Sequence, residues 1–197
     1  KFELVVGDKD IMVMPAICDF TGMNIVTRQV IANACAACVG MVKSAGHVLK
    51  KEDKPVVAVT LMGVTNNGAV AAVEELERAG LEVIGFHATG VGGATMEKMA
   101  EEGLVDGILD LTLHELTSEY FGGGFSYGEA ANTRLVKSVD KKVPLVISLG
   151  GLDFVDFSTN ELPGRMDERK YMLHNANTAH IKILPEEAKA LGEIVAE

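Results

Sequence analysis

Residues 81–99 read LEVIGFHATGVGGATMEKM. An apolar run ends in a glycine-rich turn, and the turn leads at once into helix-forming residues. A chain with this order passes from strand to helix within a few residues. Gly90, Gly92 and Gly93 leave backbone amides uncovered at the junction. The helix expected to begin near Ala94 aims its own unpaired N–H groups at the same point. Such a corner attracts negative charge, and phosphate is the anion it best suits.

The same order recurs along the chain. Strands are expected at 10–17, 56–62, 81–88, 107–111, 144–149 and 179–184. Helices are expected at 24–45, 69–79, 94–102, 129–139 and 185–196, with a short one at 114–119. The strands are continuous apolar runs, as in a parallel sheet covered on both faces. The pattern predicts an α/β fold, a Rossmann-like three-layer sandwich with a mostly parallel sheet of five to six strands. One domain over residues 1–197 accommodates it. Residues 150–177 lack a clear period and are expected to be irregular.

Hydrophobic residues make up 48% and aromatic ones only 5%, so the core must be built from Val, Ile, Leu, Ala and Met. Lys and Arg number 18 against 28 Asp and Glu, a formal charge of −10. Nucleic acid and anionic membrane are therefore not expected as partners. No run reaches the length of a bilayer span, since the most apolar segment, 30–42, is short and holds Asn33. Three cysteines make no disulfide framework and suit a reducing cytoplasm. Cys35 and Cys38 lie inside the long apolar helix, past the N-terminus that would activate a thiol and without a second ligand pair. They read as small residues packed on a buried helix. No metal site is expected.

Right-handed crossovers gather the turns at the carboxyl ends of the strands. The ligand or phosphate contacts expected there are Thr89, Gly90, Gly92, Gly93, Thr95, Gly123, Gly150 and Gly151. His87, Asp153 and His174 are the acid–base candidates, each of which also has a structural reading. His114 and His180 read as structural. The stretch from Gly90 to Thr95 is a partial dinucleotide fingerprint, with Thr95 in place of the third glycine and Asp110 as its acid, so no nicotinamide or flavin is expected. No Gly-Lys pair occurs, which excludes a P-loop. Residues 124–128 spell GFSYG, but no strand leads into Ser126, and Ser126 with Glu129 reads as a capping box rather than a hydrolase elbow.

Several stretches together carry a resemblance: PAICDFTGMN (15–24), FHATGVGGATME (86–97), DLTLHEL (110–116), GGGFSYG (122–128), SLGGLDFVDF (148–157) and HNANT (174–178). They resemble the ATP-binding domain family named for the tomato mosaic virus resistance protein, whose bacterial members are uncharacterised. The similarity covers nearly the whole chain, which looks like the second, C-terminal half of that module. The resemblance implies a two-lobed Rossmann-like protein that binds ATP, with Mg²⁺ as an accompanying ion, and forms a homodimer. A missing N-terminal lobe is then a partner. The family's glycine loops carry over to Gly90, Gly92, Gly93 and Thr95, and its acidic loop to Asp153. The function expected is an ATP- or phosphometabolite-binding module with a glycine-rich anion cradle. The alternative is an enzyme acting on a phosphorylated or carboxylated small molecule by acid–base chemistry.

Overall fold

The computed structural model describes residues 6, 9–45, 53–122 and 134–197. The described residues divide into two units, one within 9–53 and one of 54–197 together with Val6.

The first unit is built on one helix, α1 (Ile25–Ser44). Asn24 starts it. Its Oδ1 accepts from the Val26 and Thr27 amides at 2.9 and 3.0 Å, and the Thr27 hydroxyl accepts from the Asn24 amide at 2.8 Å. This reciprocal cap satisfies donors that a helix end leaves open. Thr27 is the buried residue of the helix. Cys35 and Cys38 are exposed, which corrects the expectation that they are packed. The helix is also 20 residues long and apolar enough, by length and composition, to cross a bilayer. The expectation that no segment reaches that length is corrected accordingly. Residues 10–17 form no strand.

The second unit opens with β1 (Val56–Leu61), α2 (Asn66–Arg78), β2 (Glu82–His87), α3 (Val91–Glu101) and β3 (Gly107–Asp110). It continues with α4 (His114–Tyr120), α5 (Lys137–Asp140) and β4 (Leu145–Ile147). It closes with β5 (Phe154–Ser158), β6 (Tyr171–Asn175), β7 (Thr178–Lys182) and α6 (Pro185–Ala196). Strands β1 to β4 form a parallel sheet in the order β2-β1-β3-β4. Its core gathers Val56, Ala58, Phe86 and Ile108 of the strands with Met96 and Ala100 of α3.

Among the described residues the parallel sheet has four strands, where five to six were expected. The remaining three form a separate antiparallel sheet, β5-β7-β6. Two residues, Ala176 and Asn177, separate β6 from β7. So short a turn permits only antiparallel pairing, whereas a parallel partner needs a long crossover. The strand expected near 179–184 therefore cannot extend the parallel sheet, and 150–177 is not irregular throughout. Helix α3 begins at Val91, three residues before the expected start, so Gly92 and Gly93 lie in its first turn. Gly123, Ser126 and residues 129–133 of the helix expected at 129–139 lie outside the described residues, and of its remainder only Lys137 onward is helical.

Candidate functional site

The chain leaves β1 toward β2 on one side and then crosses to β3 on the other, so the sheet reverses direction between β1 and β3. Ligands of open α/β sheets bind at such a reversal, beyond the carboxyl ends of the strands. Here the ends are tied together by hydroxyls. Thr60 donates to Asp110 Oδ1 at 2.6 Å and accepts from the Thr112 amide at 3.0 Å. The hydroxyls of Thr65 and Thr112 meet at 2.7 Å. Gly150 and Gly151 close in from the loop after β4. The Gly150 carbonyl accepts from the Leu113 amide at 2.9 Å, and a Cβ on Gly150 would collide with the Leu111 carbonyl. Gly151 has φ +75° and lies against His114.

The glycine corner beside α3 is an anion site in physical terms, and its occupant is internal. Glu115 Oε1 accepts from the Gly90 amide at 2.5 Å and from the Gly93 amide at 3.2 Å. Gly93 has no room for a Cβ, which would fall on the Glu115 carboxylate and on Arg134 Cδ. Gly92 is pressed against the backbone of His87 in the same way. Among the described residues, the Val91 and Gly92 amides of this turn have no acceptor.

Arg134 lies behind the Glu115 carboxylate. Its Nε is 2.8 Å from Glu115 Oε2, and its Nη2 donates to both Asp110 oxygens at 2.8 and 2.7 Å. Glu97 stands 3.9 Å from Nη1 and accepts from the Leu135 and Ser138 amides at 2.7 and 2.8 Å, at the start of α5. All four side chains are buried. Three carboxylates thus face one guanidinium. Burial pushes the Glu115 carboxyl up, against the opposing pull of Arg134 and of the Gly90 and Gly93 amides. Asp110, the apparent acid of a dinucleotide fingerprint, is committed to Thr60 and Arg134.

The other expected contacts are scattered around these two centres. Thr95 donates back to the Val91 carbonyl at 2.7 Å, inside its own helix. His87 is exposed at the end of β2, and Thr89 is half-buried in the turn that follows. Asp153 and His174 belong with the antiparallel sheet. Asp153 pairs with Lys182 at 2.5 Å, and the His174 ring is 4.7 Å from that of His180. Gly123 lies outside the described residues. Sequence reasoning missed Arg134, Asp156 and the partnership of His114 with His180. For the last pair a signal existed. Ala179 and Ile181 alternate with His180, so His180 faces away from the apolar side of its strand.

Residues 54–197 match the model of the C-terminal domain of the uncharacterised protein family UPF0261, and residues 1–47 match that of its N-terminal domain. The chain belongs to the UPF0261 family. A UPF0261 protein of Clostridium tetani is 37% identical over 193 residues, which cover 98% of this chain and 47% of that protein. UPF0261 protein RA0729 of Rhizobium meliloti is 36% identical over 184 residues, 93% of this chain and 45% of that one. The ToMV resistance protein Tm-1(GCR237) of Solanum lycopersicum is 34% identical over 200 residues, 99% of this chain and 26% of the tomato protein. The chain thus spans about half the length of these bacterial UPF0261 relatives and a quarter of the plant one. The two domain models meet between residues 47 and 54, close to where unit 9–53 gives way to unit 54–197.

Proposed function

We propose that this chain is a binding module for a phosphorylated small molecule, with ATP as the ligand implied by the family resemblance. The observation that carries the reading is the grip of the Gly90 and Gly93 amides on Glu115. Two amides, the positive end of α3 and the Arg134 guanidinium converge on one carboxylate. That donor set is the one a phosphoryl group requires. Glu115 holds the place at an electrostatic disadvantage, since burial disfavours its charge. When phosphate arrives, the Glu115 side chain swings out and the phosphoryl oxygens take up the amides and Arg134. Gly150, Gly151 and the threonines at the β1–β3 reversal then line the path of the rest of the ligand.

The finer architecture follows the same reading. Right-handed crossovers on either side of β1 place α2 and α3 on opposite faces of the parallel sheet, as in a Rossmann-like three-layer sandwich. The protein works in the cytoplasm, as a homodimer, and the rest of the family's N-terminal domain is its second lobe. The exposed apolar side of α1, which belongs to the sequence of that N-terminal domain, is the surface the lobe covers.

Isothermal titration of ATP, ADP and inorganic phosphate into the chain and into its Glu115→Gln variant tests the reading. Removing the internal competitor's charge should tighten phosphate binding by about tenfold, roughly 1.4 kcal/mol. Absence of heat with both proteins, or weaker binding by a folded Glu115→Gln variant, rejects it.

A further inference from the structure

His114, Asp156 and His180 form a chain of titratable groups that the phosphate reading does not use. Asp156 on β5 and His180 on β7 are register partners across the antiparallel sheet, so their side chains share a face. Asp156 Oδ1 accepts from His180 Nδ1, and His114 Nε2 on α4 lies 3.4 Å from Asp156 Oδ2. His114 Nδ1 is 2.9 Å from the Gly151 carbonyl. A carbonyl only accepts, so this nitrogen carries its hydrogen toward Gly151. The His114 ring stacks on Phe154 at 4.5 Å, and Phe154 meets the edge of His180. Each ring is thereby fixed in orientation, and the carboxylate between them is almost wholly buried.

The outer end of this chain opens on a shallow surface depression. His180 lines a space of about 310 Å³ together with Val64, Phe154, Lys170, Tyr171, Met172 and the Asp153–Lys182 pair. The wall is mostly apolar. Two lysines stand against one aspartate there, a local positive excess in a protein whose formal charge is −10. Since Asp156 holds the Nδ1 hydrogen of His180, the neutral ring presents the lone pair of Nε2 as an acceptor.

We infer that this open depression is a second ligand site, for a small hydroxy acid with an apolar body. Lys182 and Lys170 hold the carboxylate, Phe154 and Met172 cover the body, and His180 Nε2 accepts a hydrogen bond from the hydroxyl. Asp156 is the positioning residue, and His114 anchors it to the Gly151 loop. The size of the space suits a ligand of this class rather than a nucleotide.

Titration of the chain with mandelate, phenylacetate and mandelamide, followed by NMR of the histidine ring protons, tests the assignment. Mandelate carries both groups, phenylacetate lacks the hydroxyl and mandelamide lacks the charge. Mandelate should bind at least about fivefold tighter than either, and should shift the His180 signals. His180→Gln should abolish the preference for mandelate over phenylacetate. Lys182→Ala, a change at an exposed side chain, should weaken mandelate and spare mandelamide. Glu115→Gln should leave mandelate binding unchanged, which separates this site from the phosphate corner. Equal affinity for the three compounds, or no binding of mandelate at millimolar concentration by the folded chain, overturns the inference. Should His180→Gln fail to fold, the Lys182→Ala comparison decides alone.

Discussion

Gly92 and Gly68 occupy helices in the same unit and obey opposite constraints. At Gly92 a Cβ would overlap the carbonyl and amide of His87, so the residue marks a close approach of backbone to backbone. Gly68 in α2 faces open space, and its φ is not positive. Gly92→Ala should therefore destabilise the chain by about 1–3 kcal/mol, because the first turn of α3 must move off β2. Gly68→Ala should stabilise it by about 0.5–1 kcal/mol by removing the entropy penalty of a helical glycine. Urea denaturation of both variants checks the pair, and a Gly92→Ala protein as stable as the parent would refute the close approach. The glycines were legible in the sequence as a place where amides must be free of side chains. Which oxygen those amides meet was not, because Glu115 arrives from an element 22 residues beyond Gly93. Local sequence carries no record of such a meeting.

At the scale of elements, two buried charge clusters join parts that are distant in the chain. Arg134 ties the β3 end, α3 and α4 together through Asp110, Glu97 and Glu115. Arg134→Met would leave three buried carboxylates facing one another, at a cost of about 3–5 kcal/mol that thermal unfolding can read. The second cluster ties α4 to β5 and β7 through Asp156. Burial works to raise the Asp156 carboxyl, but hydrogen bonds from His114 and His180 outweigh it and hold the group below its ordinary value of 3.8. The folded state therefore binds this proton less readily than the unfolded chain. Its stabilising contribution is fully present above the ordinary value and is lost as pH falls through the lower folded value. The parent should accordingly lose more stability than Asp156→Asn between about pH 4 and pH 2; identical slopes in thermal scans would deny Asp156 this role. The four parallel strands were readable because each is a continuous apolar run between helical segments. Strand β6 was not, since all five of its residues are exposed and no apolar–polar alternation marks a buried face. Helix α1 was readable from its length, and its lack of cover was not.

On the scale of the whole molecule, the two units differ in how far they are enclosed. Unit 54–197 has the buried core of a domain, whereas α1 in unit 9–53 presents Ile25, Val39, Met41 and Val42 at 79, 51, 55 and 74% exposure. A helix that is apolar on most sides is stable in water only when something covers it. The family models assign α1 to the N-terminal domain, of which residues 1–47 are matched here, and the bacterial relatives are about twice as long as this chain. The remainder of the family's N-terminal domain is the cover proposed. Cys35 and Cys38 lie on α1 and report on it directly. In the 197-residue chain both thiols should react with a disulfide reagent at the rate of free cysteine. In a protein that carries the complete N-terminal domain of the family ahead of these residues, their reaction should slow by more than about tenfold, since a covered thiol reacts only through opening of the interface. Slowing of the short chain alone as its concentration rises would instead assign the face to a second copy. Equal rates under every condition would leave α1 uncovered by protein, and a helix of its length and composition would then be driven toward a bilayer.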